Sequence, residues 1–307
     1  EPGKYSYVVV AEARYPTERK TFEITAGKTT SVDIFLPEPG YVSVNITGED
    51  GRPMPGKCTL VGIHEKVDPT LLPRQYLFNL KIGEHRRATD MVTNGDDPST
   101  REFIEHIVHA PGRTVTESVR PGKYEAVCSR GIEYEITRQA VTVKAGKLTQ
   151  IAVTLKHTVD TNGWASGDYH LHQANSVDSS LDLDTRVIEA ASEGLDIACA
   201  TDHNFVTDLR PVIARENLEE RLQGMVGLEM TTLESGHFNS FPLRYDAGQI
   251  TKGSFSWHEN TPTEIFEKLR KLGAYGPQNT VVQVNHPRDT ILGYYNQYNF
   301  NSDTGRT

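Results

Sequence analysis

The sequence of 307 residues has few cysteines, no long apolar run and no excess of basic charge, and each absence excludes something. No apolar run approaches the roughly 18 residues of a membrane helix, so we expect no membrane span in this chain. Its 32 basic and 41 acidic side chains leave a formal charge of −9. Because nucleic-acid binding depends on clustered Lys and Arg, this balance argues against a nucleic-acid partner and disfavours a nuclease.

The three cysteines, Cys58, Cys128 and Cys199, are an odd number without CxxC spacing. Buried free thiols are the favoured interpretation, since free cysteine is among the most buried residue types. A disulfide between Cys58 and Cys128 is the alternative, because both lie in the same predicted module. Cysteine usage therefore leaves the redox compartment open.

An internal repeat organises the first half of the chain. Residues 2–37 align with residues 121–156 without a gap, at a constant offset of 119 and with twelve identities. Each copy contains a Pro-Gly-Lys-Tyr and an Ala-Gly-Lys sequence. Alternating apolar residues predict three strands per copy. In the first copy, this pattern includes Val32, Ile34 and Leu36.

The repeat predicts two β-sandwich modules, the first of which lacks its front half. We predict the back half of one module over 1–38 and a second module over 39–158, with a long insertion at about 66–118. An Asp-Gly-x-Pro turn and the Pro-Gly-Lys-Tyr strand resemble carboxypeptidase regulatory-like and fibronectin-like modules of extracellular bacterial proteins. This resemblance implies a periplasmic or secreted protein. The insertion contains three histidines, His85, His106 and His109, which we interpret as surface residues.

The hydrophobic pattern changes after Trp164, where strand-like segments begin to alternate with helical ones. We expect strands near 168–172, 195–201, 225–230, 237–243 and 280–286, and helices near 183–193, 210–223 and 263–272. Such alternation predicts a parallel α/β domain over 159–307. The predicted fold class is therefore multidomain, with β-sandwich modules followed by an α/β domain.

Potential metal ligands occur on or after several of these strands. His170 and His172 are two residues apart, so on a strand their imidazoles share one face and could bind one metal ion. His203, Glu229 and His286 each follow an apolar segment. Active sites of α/β barrels lie at the carboxyl ends of the strands, where these residues would meet.

These motifs resemble those of the polymerase-and-histidinol-phosphatase (PHP) family of metal-dependent hydrolases. The resemblance covers about residues 160–300 and is carried by Asp-Tyr-His-Leu-His, Thr-Asp-His-Asn, Gly-Leu-Glu and Asn-His-Pro. Within the family, the Gly-His-Phe-Asn segment at 236–239 and the Asn-His-Pro-Arg segment are most similar to the CehA/McbA branch. The resemblance implies a distorted (β/α)7 barrel. No late Asp-x-His element is found, so we expect the C-terminal part of the barrel to be missing.

The resemblance also assigns roles to individual residues. It implies two or three divalent ions, Zn, Mn or Fe, and the metal ligands are His170, His172, Asp178, His203, Glu229 and His286. It implies that His237 is either a metal ligand or a catalytic residue, and catalytic roles are predicted for Arg288 and Asp202. Asp202, like Asp168, would orient neighbouring imidazoles. Arg288 could bind a phosphate or carboxylate, and a surface salt bridge is the equally weighted alternative.

Together these features predict a metal-dependent hydrolase that acts on a small phosphoester or a carboxylic or carbamic ester. A metal-bound hydroxide would be the nucleophile. The alternative is a non-catalytic extracellular binding or scaffold protein with a decayed metallohydrolase domain, because tandem β-sandwich modules are more often spacers or binding surfaces than catalysts.

Overall fold

The computed structural model describes residues 1–63, 102–291 and 293–305. Contacts divide the chain into two compact units, Glu1–Val159 and Asp160–Thr307. In the part of the chain that is described, no helix is both long enough and apolar enough to cross a membrane. The three-part domain division made from the sequence stays a prediction.

The first unit is a β-sandwich preceded by a separate two-stranded hairpin. Its strands are β1 (Gly3–Tyr7), β2 (Lys20–Ile24), β3 (Gly40–Thr47), β4 (Pro55–Ile63), β5 (Glu102–Pro111), β6 (Val115–Val119), β7 (Gly122–Ser129), β8 (Thr137–Val143) and β9 (Leu148–Thr154). One sheet has the order β6-β3-β9 and the other β5-β4-β7-β8, while β1 pairs only with β2. The chain is therefore β-rich in this unit, as the sequence predicts.

The sandwich has one core, built from alternate residues of both sheets. On β3, Val42, Val44 and Ile46 are buried, while the residues between them are more exposed. They pack in the same cluster as Leu60 of β4 and Ile151 of β9. The period of two that predicts half-buried strands thus corresponds to the inner faces of the two sheets.

From Glu102 onward, the segment predicted to be an insertion over 66–118 forms strands of the sandwich itself. Residues of this segment form β5 and β6, one in each sheet. Val108 and Ala110 of β5 are buried on either side of His109, but the consecutive apolar residues Ile107 and Val108 and a register shift opposite Leu60 and Val61 interrupt the alternation along the strand. The histidines predicted to be surface residues are His85, which lies outside the described residues, and His106 and His109, which lie on β5.

Cys58 and Cys128 form a disulfide, which contradicts the favoured interpretation of three free thiols. The two residues are direct cross-strand neighbours on β4 and β7, and both are buried. The disulfide was only the alternative interpretation, because the register between strands 70 residues apart cannot be read from local sequence. Cys199 is a buried free thiol, as expected.

The second unit contains two three-stranded sheets and short helices. Its strands are β10 (Gly167–Leu171), β11 (Ile197–Ala200), β12 (Gln223–Val226), β13 (Leu228–Thr231), β14 (His237–Phe241) and β15 (Val281–Val284). Its helices are α1 (Leu183–Ser192), α2 (Arg210–Arg215), α3 (Pro262–Lys271) and α4 (Tyr294–Gln297), with a 3₁₀ turn at Pro277–Asn279. Each sheet has its own apolar cluster.

Local sequence explains where the longer helices begin. The side chain of Asp182 accepts the backbone N–H of Thr185 and caps α1. Thr261 and Glu264 form a reciprocal capping box at the start of α3, and Pro262 occupies its first position. These signals place α1 and α3 close to the predicted ranges.

The two sheets of the second unit differ in strand direction. Strands β10, β11 and β12 are parallel, whereas β13, β14 and β15 are antiparallel. The structure therefore gives no evidence for the single parallel barrel sheet implied by the family resemblance. The antiparallel pairing is set by the short connection after β13, which returns the chain directly along its neighbour.

Candidate metal centre

The candidate ligands converge where the strands of the second unit end. His170 lies on β10, His172 follows it, and His203 follows β11 by three residues. Glu229 lies on β13, and an isolated bridge pairs it with His203. Glycine is required nearby, because a Cβ on Gly227 would lie 2.8 Å from the backbone oxygen of Ala200. This close approach brings Glu229 next to the ends of the parallel strands.

Five imidazoles in the described part of the chain surround the Glu229 carboxylate, which is fully buried. Its Oε2 lies 3.1 Å from His170 Nε2, 3.2 Å from His172 Nε2 and 3.3 Å from His203 Nδ1. Its Oε1 lies 3.2 Å from His237 Nδ1 and 3.6 Å from His286 Nε2. The structure thus brings five predicted site histidines to one carboxylate.

Potential metal-ligating atoms of the described residues form three overlapping groups. These groups are His170, His172 and Glu229; His172, Asp178 and His203; and His203, Glu229 and His237. Within each group, the ligand atoms lie within 4.8 Å of one another. Atoms that bind one ion tetrahedrally at Zn–N distances lie about 3.4 Å apart, so only small shifts are needed. His286 contacts Glu229 but belongs to none of the three groups.

The surroundings of these groups shift their pKa values in different directions. Burial opposes ionisation of Glu229, but hydrogen bonds from His170 and His172 hold its pKa far below the usual range. The hydrogen bond to Glu229 raises the pKa of His172, whereas burial lowers the pKa of His203. Burial also opposes ionisation of Asp178, but the hydrogen bond from the Ser176 hydroxyl and the nearby His203 imidazole lower its pKa. Both carboxylates are therefore ionised and can serve as metal ligands.

His237 is placed among the potential ligands rather than apart from them. Its Nδ1 is buried, and its contact with Glu229 is too poorly directed to be a hydrogen bond. A buried imidazole nitrogen without a hydrogen bond is rare in proteins, and a bound cation would satisfy its lone pair. The ligand set therefore fits a divalent metal ion, and the catalytic role of His237 stays a prediction.

Asp202 does not orient an imidazole, contrary to the prediction. Its buried carboxylate accepts the backbone N–H of Gln173 at 2.6 Å and the Gln173 side-chain amide at 2.9 Å. It also accepts the hydroxyl of Thr207. These bonds join the segment after His172 to the segment after His203. Asp202 therefore connects the segments that follow His172 and His203, through the backbone and side chain of Gln173 and the side chain of Thr207.

Two asparagines hold the central carboxylate, and sequence reasoning did not identify them as site residues. The side-chain amide of Asn285 donates to Glu229 Oε1 at 2.8 Å and to Asn239 Oδ1 at 2.7 Å. Asn239 donates in turn to the backbone oxygen of Tyr169 at 2.9 Å. Both asparagines are buried. The available signals were the position of Asn285 next to His286 and the position of Asn239 on β14.

Arg288 is not one of the residues gathered around Glu229. Its guanidinium lies over the ring of Tyr295, 5.7 Å from the ring centroid. This cation–π contact is a third arrangement, different from both an anion site and a surface salt bridge. The predicted catalytic role of Arg288 therefore stays a prediction.

No protein-family model and no curated protein matches the sequence. The solved structures that match include the minor pilin GBS52 of Streptococcus agalactiae, with 16% identity over 46% of this chain and 65% of that one, at a TM-score of 0.21. A streptococcal ancillary pilin matches with 12% identity over 51% of this chain and 46% of that one, at a TM-score of 0.26. The Corynebacterium diphtheriae major pilin SpaA matches with 17% identity over 39% and 30%, at a TM-score of 0.22.

These findings correct the assignment to the PHP family. No family model matches, and the described strands of the second unit form two separate three-stranded sheets rather than one barrel sheet. The predicted metal-dependent hydrolase, with its phosphoester or ester substrate, is therefore wrong together with the family assignment. The short motifs that carried the resemblance define a ligand set, which many unrelated folds can build. The TM-scores are likewise too low to transfer any role from the pilins.

Proposed function

We propose that this chain is a non-catalytic extracellular binding protein whose second unit binds divalent metal ions. The observation that carries the proposal is the convergence of five imidazoles on Glu229. A carboxylate has about four lone-pair positions, and Asn285 already uses one of them. Five imidazoles therefore exceed what this carboxylate can satisfy, and a bound cation would supply a partner for the buried Nδ1 of His237, which has no hydrogen bond.

The ligand chemistry supports Zn, Mn or Fe as the ion. The donors are imidazole nitrogens and carboxylate oxygens, without a thiolate, and such sets suit these metals. Among the residues that adjacent groups share, Glu229 could offer one carboxylate oxygen to each of two ions, whereas His172 and His203 could each bind one ion. We propose two or three ions per chain.

The disulfide supports an extracellular compartment, either periplasmic or secreted. Disulfides persist where the environment is oxidising and are rare in the cytosol. Cys58 and Cys128 join two strands of the sandwich that lie side by side. The disulfide-linked sandwich supports a role as a spacer or binding module.

The test is elemental analysis of the chain after loading with Zn, Mn or Fe and removal of free metal. We expect two or three ions per chain. His172→Ala should remove at least one ion, because His172 belongs to two of the three groups. His258→Ala is the matched control, since this exposed histidine of the same unit lies outside all three groups.

Two outcomes would overturn the proposal. Metal content at the background level in the unmodified chain would show that the chain does not bind these metal ions. Turnover of aryl phosphates, phosphodiesters or aryl esters by the metal-loaded chain would show that the protein is an enzyme and would contradict the proposed non-catalytic role.

Metal affinity should also increase with pH. In the metal-free protein, the hydrogen bond to Glu229 raises the pKa of His172, so this imidazole keeps its proton to a higher pH than an ordinary histidine. A metal ion must displace that proton, and binding therefore tightens as pH rises through and above about 6.5. Titration calorimetry at several pH values measures the change. An affinity that stays constant across this range would contradict the expectation.

A further inference from the structure

The hydroxyl of Ser176 lies beside the candidate metal centre and contacts three residues of its ligand set. Ser176 Oγ lies 2.7 Å from Asp178 Oδ1, 3.2 Å from His172 Nδ1 and 3.1 Å from the backbone nitrogen of His203. Only 7% of Ser176 is exposed, so water has little access to these contacts. One buried hydroxyl therefore joins three candidate ligands.

The hydrogen of this hydroxyl is directed to a single acceptor. A hydroxyl donates one hydrogen bond and accepts two. The ionised carboxylate of Asp178 can only accept, so it receives the hydrogen, at the shortest of the three distances. The backbone N–H of His203 can only donate, so it fills one acceptor position of the oxygen. The remaining position accepts a hydrogen bond from His172, whose Nδ1 must therefore carry a hydrogen.

A hydrogen on Nδ1 determines where the neutral imidazole of His172 has its lone pair. Neutral histidine has one nitrogen with a hydrogen and one with a lone pair, and the hydrogen bond made by the first selects the second as the metal-binding atom. The lone pair is therefore on Nε2, which lies 3.2 Å from Glu229 Oε2. Nε2 of His170 lies 3.1 Å from the same oxygen. The metal-binding atom of His172 thus faces the carboxylate at the centre of the site.

Without the hydroxyl, His172 has a second direction in which it could bind. Its Nδ1 lies 3.9 Å from Asp178 Oδ1, and these two residues form one of the three ligand groups together with His203. An imidazole released from Ser176 could hold its hydrogen on either nitrogen and bind an ion beside either carboxylate. The serine hydroxyl therefore decides between two neighbouring groups that share this histidine.

We infer that Ser176 is a positioning residue that keeps a hydrogen on Nδ1 of His172 and thereby assigns its Nε2 to an ion shared with His170 and Glu229. A hydrogen bond to the second nitrogen of a metal-bound imidazole orients the ring, and its loss weakens metal binding by about 10- to 100-fold. The inference rests on the metal binding proposed above and adds the residue that selects the binding nitrogen.

The experiment uses the full chain, labelled with ¹⁵N and loaded with zinc alone, which is diamagnetic. Long-range ¹H–¹⁵N spectra of the imidazoles show which nitrogen carries a hydrogen and which binds the ion, and His172→Ala identifies the signals of His172. We expect a hydrogen on Nδ1 and zinc on Nε2. Zinc on Nδ1 would overturn the inference alone. A chain that binds no zinc would also overturn it, and elemental analysis after loading with Mn or Fe then shows whether the proposed function fails as well.

Variants of two serines near His172 separate positioning from a general effect on this segment. Ser176→Ala should weaken zinc binding by about 10- to 100-fold, with the hydrogen no longer confined to Nδ1. Ser176→Thr keeps a hydroxyl and should restore both properties. Ser179→Ala is the matched control and should change neither, because the hydroxyl of Ser179 donates to the backbone oxygen of His172 and not to its imidazole.

Backbone amide spectra show whether each variant is folded. Unchanged zinc affinity and an unchanged binding nitrogen in folded Ser176→Ala would overturn the inference. When Ser176→Ala is unfolded, the nitrogen that binds zinc in the unmodified chain decides.

Discussion

The two copies of the repeat share a tyrosine hydrogen bond and a glycine turn, yet only the second copy forms its third strand. The hydroxyl of Tyr5 donates to the backbone oxygen of Glu1, as that of Tyr124 does to Arg120. Gly27 and Gly146 both have positive φ, at 68° and 63°. Local interactions therefore form equally well in both copies.

The copies differ in what lies opposite them. In the second copy, β3 and β4 provide the facing half of the core, which contains Val42, Leu60 and Ile151. The described residues contain no such half for the first copy, whose β1–β2 hairpin is a separate two-stranded sheet. A two-stranded hairpin is marginally stable alone, because most strand stabilisation comes from packing. The comparison teaches that this repeat needs its facing half to complete its strands.

The largest expected difference is between Leu155→Ala and Leu36→Ala, which are the same change at equivalent positions. Leu155→Ala should lower the free energy of unfolding by about 2–5 kcal/mol, because it leaves a cavity in the core. Leu36→Ala should change it by no more than about 0.5 kcal/mol, because Leu36 is exposed. Urea unfolding measures both. Equal costs would show that the first copy is packed in solution.

Removal of the disulfide should have the next largest effect. The Cys58→Ala and Cys128→Ala double variant should lose about 2–4 kcal/mol of stability, mainly because the unfolded chain is no longer constrained. In the first copy, Val9 stands at the position of Cys128, so Val9→Ala is the matched control and should cost little. Thermal unfolding with and without reductant measures the effect. An unchanged midpoint, with reduction confirmed by mass spectrometry, would contradict it.

The smallest expected difference concerns the tyrosine hydroxyls. Tyr124→Phe should cost about 0.5–1.5 kcal/mol, because it deletes the hydroxyl that a buried side chain donates to the backbone oxygen of Arg120. Tyr5→Phe should cost less, because water can replace the exposed bond. Chemical unfolding of the two variants compares them. A larger cost at Tyr5 would mean that the first copy is the better packed of the two.

Sequence reasoning located the site residues better than it assigned their roles. His170 and His172 were predicted to converge because strand residues two apart share a face, and both lie within 3.2 Å of Glu229. Asp202 was predicted to orient an imidazole, but it accepts bonds from Gln173 instead. Which partner a buried carboxylate reaches depends on how loops pack, and no local pattern encodes that.

The family assignment failed for a related reason. The motifs are short, and they describe which residue types meet rather than the sheet that carries them. After Glu229 the chain turns back into the antiparallel pair β13–β14, so similar ligands are held by a different strand arrangement. Asn239 and Asn285 are needed to hold Glu229 in this arrangement, and the motif reading did not assign them a role.

The sequence by itself determined the local features: the alternation of the strands, the glycine turns, the helix caps and the residue types of the candidate metal centre. These depend on interactions between neighbours along the chain. Only the tertiary structure decided that Cys58 meets Cys128, that Glu229 lies at the centre of five imidazoles, and that residues 29–35 stay unpaired. Each of these outcomes depends on which distant segment packs opposite, and equivalent local sequences behave differently when that segment differs.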